Sequence, residues 1–280
     1  MSRFTMVLIS LLCVPTSSIA ESRPPTVSAS NETVEFSSGS LRLRGLVFHP
    51  DSVGRHPAVL FLHGSGQQYD REISDVGPQY ANQGYILFVP FRRGQGLSAG
   101  QGEAISVRLD REEQINGVSS RMRLMADLLS TEQMDDVVAS LDYLRKRPDV
   151  DPSRIAVAGN SFGGSLAVLS AERAQGIRAV VASAPAAQSW ASAPELRERL
   201  LSSVRNARVP IFFFQAENDY DLTPTEQLWA EMTRVRKPFT RKIYAAFGQT
   251  TVDGHSFGYF GGSLWGPDVF AFLAKHLGSR

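Results

Sequence analysis

From Ala58 onward, short runs of consecutive apolar residues alternate with stretches whose apolar positions recur every three or four residues. The runs are Ala58–Leu62, Tyr85–Val89, Arg154–Ala158, Ala179–Ala182 and Val209–Phe214, with Arg241–Tyr244, which opens on two charged residues, as a last short strand. A strand that is apolar on both faces belongs in a parallel sheet covered on both sides. Leu41–Phe48 instead alternates apolar and polar at its start, which predicts an edge strand. Between the runs, Ser130–Arg147 places Met134, Val137, Val138, Leu141 and Leu144 on one helical face. Ser130 with Gln133 reads as its capping box, and Pro148 stops it. Thr223-Pro224-Thr225-Glu226 starts another helix with Thr223 as cap, and Pro267–Leu277 forms the last. This alternation predicts an α/β fold: a mostly parallel central sheet with helices on both faces. No repeat, low-complexity tract or linker interrupts it, so residues 34–280 read as one domain. Gly94 to Ser130 is too long for a plain connection and predicts an insert at 100–130.

The start of the chain follows a different pattern. Met1-Ser2-Arg3 is basic, Phe4 to Val14 is almost wholly apolar, and Ser18 and Ala20 are small residues placed for a cut before Glu21. That layout predicts a signal peptide over 1–20, a leader over 21–33, and a secreted or periplasmic protein. The apolar run is too short to span a bilayer, so no membrane anchor is expected after cleavage. Cys13, the only cysteine, lies inside this segment behind Leu12, where a lipoprotein signal has a small residue. A mature chain without cysteine excludes disulfides, a thiol nucleophile and cysteine-ligated metal. Across 280 residues, 29 basic side chains nearly balance 28 acidic ones, which gives no electrostatic reason to expect nucleic acid as partner.

The candidate chemistry gathers where strands end. Gly159-Asn160-Ser161-Phe162-Gly163-Gly164 follows the run 154–158 and precedes a helical pattern. A serine on a sharp strand-to-helix turn, flanked by glycine, is the nucleophile-elbow arrangement. Gly96-Leu97-Ser98-Ala99-Gly100 matches the same short pattern but lies in a loop, so context favours Ser161. A serine needs a neighbouring imidazole to take its proton. Of the five histidines, His255 follows the last strand, at the sheet end where open α/β folds bind ligands. His276 reads as a helix-surface residue, His49 and His56 as solvated turn neighbours, and His63 as a buttress for its loop. An acid that orients His255 is expected after the run 209–214; Asp219 is preferred, with Asp221, Glu217 and Asp253 as alternatives. The chain order Ser, Asp, His is that of the α/β-hydrolase fold. The amides of Phe162 and Ser65 are candidates for an oxyanion hole. Trp190, Arg92 and Arg93 are candidates for contacts to substrate, although for the two arginines structural salt bridges beneath the loop are the favoured reading. The insert, with Met122, Leu124, Met125, Leu128 and Leu129, reads either as a lid or as a helical extension packed on the core.

The chain resembles the α/β-hydrolase superfamily, in the branch of dienelactone-hydrolase-like and prolyl-oligopeptidase-like serine esterases. The resemblance covers about residues 34–278. It is carried most strongly by Arg147 through Gly164, and supported by His63-Gly64, Arg92-Arg93-Gly94 and Asp219 with Pro224. It implies hydrolysis of an acyl bond by a serine without metal or organic cofactor, with a small-molecule ester as partner. Dienelactone hydrolases carry cysteine where Ser161 stands, so their substrate does not transfer. Prolyl oligopeptidases have a large N-terminal propeller, and the short stretch before the first strand here argues against that peptide gate. A peptidase or amidase with the same triad, and a silent hydrolase fold used for binding, are the alternatives.

Overall fold

The apolar runs pair into one sheet in the computed structural model, which describes residues 30–67 and 69–278. The expected signal peptide and residues 21–29 of the expected leader lie outside the described residues. The elements are β1 (Asn31–Ser38), β2 (Leu41–Phe48), β3 (His56–Leu62), α1 (Asp70–Ala81), β4 (Ile86–Pro90), α2 (Ile105–Asn116), α3 (Val118–Ser130), α4 (Glu132–Lys146) and β5 (Val150–Asn160). There follow α5 (Phe162–Arg173), β6 (Ala179–Ser183), α6 (Pro194–Asn206), β7 (Ile211–Ala216), α7 (Thr223–Arg234), β8 (Phe239–Tyr244), α8 (Thr251–His255), α9 (Phe257–Phe260) and α10 (Gly262–Leu277).

Among the described residues the sheet has 8 strands in the order β1-β2-β4-β3-β5-β6-β7-β8. The pairs β1/β2 and β2/β4 are antiparallel, and the rest are parallel. The order reverses between β3 and β5, so the loops leaving these two strands diverge to opposite sides. That crevice is where open α/β sheets hold ligands. Alternate side chains feed two cores. Leu60 and Leu62 pack on the side of α4 and α5, whereas Val59 and Phe61 pack with Tyr80 and Trp265 on the other.

Four local expectations are corrected. β2 is not an edge strand, because β1 covers it. β1 takes its first residues from the stretch read as leader, and only Phe36 and Ser38 of it are buried, so it carries almost no apolar signal. Ser130 does not cap α4, since it ends α3 and the chain turns at Thr131 (φ −113°, ψ −104°). Gln133 is drawn inward to accept a hydrogen bond from Arg92 Nε at 3.0 Å, which removes it from any capping box. Thr223 is the first residue of α7, not its cap; Asp221 Oδ1 accepts the Thr223 amide at 2.8 Å instead.

The insert is a pair of helices, α2 and α3, joined at Gly117 with φ 83°. Ile105, Leu109, Met125, Leu128 and Leu129 join the core, so the pair is packed and not merely draped. Among the described residues no helix is long and apolar enough to cross a membrane.

Candidate active site

Ser161 sits at the end of β5 with φ 59° and ψ −121°, a strained conformation for a residue with a side chain. Such a residue costs about 1–3 kcal/mol and persists only where its surroundings hold it. Its amide donates to Ser183 O at 3.0 Å, and its carbonyl accepts the Ser165 amide at 3.0 Å. The glycines make the turn possible by close approach: a Cβ on Gly163 would strike the Leu62 carbonyl, and one on Gly159 the Gly163 carbonyl.

His255 ends the short α8, whose start is held by a capping box between Thr250 and Asp253. Asp253 is thereby committed: Oδ2 accepts the Gln249 and Thr250 amides and the Thr250 hydroxyl, and these bonds lower its pKa. Asp219, buried in the turn after β7, places Oδ1 2.8 Å from His255 Nδ1. His255 Nε2 is 2.8 Å from Ser161 Oγ. The imidazole therefore bridges carboxylate and hydroxyl, and the three residues separated in sequence meet at one rim. Glu217 is exposed and Asp221 holds the start of α7, so neither reaches the ring.

Sequence reasoning missed the side chains that hold this geometry. Gln215, at 1% exposure, donates through Nε2 to Asp219 Oδ2 at 2.9 Å and to Asp221 O at 2.8 Å. Asn160 donates to the His255 carbonyl at 3.1 Å and so ties the serine turn to the histidine segment. Asn218 donates to Phe247 O and Thr250 O, both at 2.9 Å, and fixes the approach to α8. The only available signal was polar residues beside strand ends.

The loop after β3 is pinned on both sides of Ser65. The Gly64 amide donates to Tyr259 Oη at 2.9 Å and the Gly66 amide to Tyr69 Oη at 2.7 Å. Burial pushes both phenols up in pKa, so they stay protonated. Ser65, Ser161 and Phe162 line one cavity of about 210 Å³. Its far wall is Leu109, Met122 and Met125 of the insert, and Arg121 at that wall pairs with Asp110 at 2.6 Å and Glu113 at 3.0 Å. The insert thus both packs on the core and shapes this cavity.

The candidate substrate contacts fare differently. Arg92 is fully buried beneath the loop, donating to His63 O at 3.0 Å, Gly64 O at 2.6 Å and Gln133 Oε1. Burial lowers its pKa to about 10. Arg93 is held by Asp136 through Nε and Nη2 at 2.9 and 2.7 Å. Neither guanidinium lines the cavity over Ser161, and both make the structural contacts that the sequence reading favoured over substrate binding. Trp190 is 2% exposed and donates to Gln227 Oε1 at 3.2 Å; it underlies a separate depression beside Tyr220.

The remaining candidates are placed elsewhere. Ser98 is buried, donating to Phe91 O at 2.8 Å. His63 is fully buried, its Nδ1 3.0 Å from Gly64 O and its ring 4.7 Å from that of Tyr69. Burial first, then the Arg92 charge, holds its pKa well below the ordinary value. His49 lies between Glu32 and Asp149, His56 bonds Ser52 O, and His276 packs edge-on to Phe272. Among the described residues no group of three His, Cys, Asp or Glu is placed to hold a metal ion.

A hydroxyl bonded to an imidazole whose other nitrogen meets a buried carboxylate can be deprotonated as it attacks an electrophile. The start of α5 and the pinned loop offer amides where negative charge would develop. The sequence profile of the Dienelactone hydrolase family matches residues 43–257. Among curated proteins, the chain is 27% identical over 143 residues to the "Uncharacterized peptidase YtmA" of Bacillus subtilis, covering 50% of this chain and 44% of that one. It is 23% identical over 159 residues to the "Quorum-quenching protein AidA" of Acinetobacter baumannii, covering 57% and 45%. These matches thus span less than half the length of either relative. Among solved structures, an acylaminoacyl peptidase of Pyrococcus horikoshii superposes with a TM-score of 0.66 at 15% identity, over 90% of this chain and 42% of that one. A dienelactone hydrolase of Anabaena variabilis gives 0.62 at 17% identity, over 89% and 99%. Both show a shared α/β-hydrolase fold.

Proposed function

This chain belongs to the dienelactone hydrolase family, and from that premise we propose that it is a serine hydrolase cleaving carboxylic esters of small molecules. The single observation that carries the reading is the His255 ring, 2.8 Å from Ser161 Oγ on one side and 2.8 Å from Asp219 Oδ1 on the other.

In the proposed mechanism Ser161 Oγ attacks the ester carbonyl while His255 Nε2 takes its proton. Asp219 holds the tautomer with the proton on Nδ1 and stabilises the imidazolium. The Ser65 and Phe162 amides receive the oxyanion; losing one such donor typically costs about 3–4 kcal/mol of transition-state stabilisation. The ester C–O bond breaks as the leaving oxygen takes the proton from Nε2. Water then attacks the acyl-enzyme with His255 again as base. The cavity of about 210 Å³ suits a short acyl group. The mechanism calls on no metal or organic cofactor.

A fluorophosphonate probe tests the reading. It should label Ser161, as located by peptide mapping, and Ser161→Ala should abolish labelling and lower kcat on a short nitrophenyl ester by about 10⁴-fold or more. Full activity in Ser161→Ala would overturn the serine assignment. Faster turnover of dipeptide amides than of esters would replace the esterase reading with an amidase one.

A further inference from the structure

A second depression adjoins the site beside Tyr220. Tyr220 follows Asp219 and meets the His255 ring edge-on, with centroids 5.2 Å apart and planes at 72°. It is 43% exposed, unusual for a large ring beside so ordered a cluster. With Asp221, Trp190 and Ala187 it bounds an open shelf of about 500 Å³. Gln188 lines both this shelf and the cavity over Ser161, so the two are neighbouring compartments of one cleft.

The chemistry of acyl transfer distinguishes the compartments. The acyl carbonyl must face the Ser65 and Phe162 amides, which border the enclosed cavity. The leaving oxygen must face the imidazole that protonates it, which lies toward Tyr220. The shelf therefore receives the alcohol portion. Its only charged lining group is Asp221, and no arginine or lysine lines it. Asp221 uses Oδ1 on the Thr223 amide, which leaves its negative charge in place. An exposed phenol ring beside a carboxylate attracts a cation through both the ring face and the charge.

We propose that the Tyr220–Asp221 shelf is a leaving-group subsite selective for alcohols that carry a positively charged ammonium. The inference rests on the esterase reading and adds the substrate class to it. No new covalent step enters: the cationic alcohol departs with the proton from His255 Nε2, and its acyl group passes to Ser161 Oγ.

The test compares two esters of the same short acid, one of choline and one of 3,3-dimethylbutanol, which differ only in replacing the charged nitrogen by carbon. The wild-type kcat/KM should favour the choline ester by about tenfold, mostly through KM, and the preference should shrink as salt screens the carboxylate. Asp221→Asn, which keeps an oxygen for the Thr223 amide, should bring the ratio to within about twofold of one. Tyr220→Leu should lower the ratio as well, which covers the case that Asp221→Asn folds poorly. Turnover of the neutral ester with a wild-type ratio near one, or a ratio unchanged in both variants, would overturn the subsite and leave the esterase reading standing. Hydrolysis of neither ester, together with no probe labelling at Ser161, would overturn both.

Discussion

Two histidines lie at the same rim of the sheet, His63 just after β3 and His255 at the end of α8, and their neighbours give them opposite characters. His255 has a buried carboxylate at one nitrogen and a hydroxyl at the other, and its side chain keeps 13% exposure toward the cleft. His63 has no exposure, a carbonyl at Nδ1 and the Arg92 guanidinium nearby. One ring is placed to gain and lose a proton. The other is placed so that gaining one is opposed by both burial and charge. A histidine beside a strand end is thus no signal by itself; the sign of the neighbouring charge decides its use.

The comparison can be broken from its active side first. His255→Gln should lower kcat by about 10⁴-fold or more while changing unfolding free energy by less than about 1 kcal/mol. A large stability loss with activity retained would make His255 the structural histidine. The next effect lies beneath the loop. Arg92→Met leaves the His63 and Gly64 carbonyls without their buried donor and should cost about 3 kcal/mol in urea unfolding. Unchanged stability with a raised KM would return Arg92 to the substrate. The smallest effect sharpens the silent side. Because the native His63 pKa is depressed, the unfolded chain takes up a proton that the native one refuses as pH falls below about 6.5. Its contribution is complete above that pH and is lost as pH falls, by at most about 1.4 kcal/mol per pH unit. Unfolding measured between pH 5 and 7 should show a shallower slope in His63→Gln than in the wild type; equal slopes would remove the contrast.

The inner parallel strands were legible because a strand buried on both faces must be apolar at consecutive positions, whereas the edge strand β8 is largely exposed and shows only a short apolar end. The outer strand β1 was not legible, since most of its side chains meet water and its pairing is made by backbone alone. The short α8 and α9 were read as loop, because elements of this length have no periodicity to detect. At the site, strand-end placement in chain order picked out Ser161, Asp219 and His255 as candidates, and the fold brings their side chains together. It could not name Gln215, Asn160, Tyr69 or Tyr259. Their roles come from tertiary hydrogen bonds, and the amide of Gly64 meets a hydroxyl 195 positions away. The helix boundary at Ser130 was misread for a related reason: a capping box is a local pattern, and the buried Arg92 claims Gln133 from outside it.

That long-range tyrosine contact also orders events in time. Tyr259 and His255 belong to segments that follow β8, while the loop that Tyr259 steadies leaves β3. A chain emerging from its point of synthesis would carry Ser161 long before either arrives. Ser161, Asp219 and His255 can therefore meet only after the segments that follow β8 have docked.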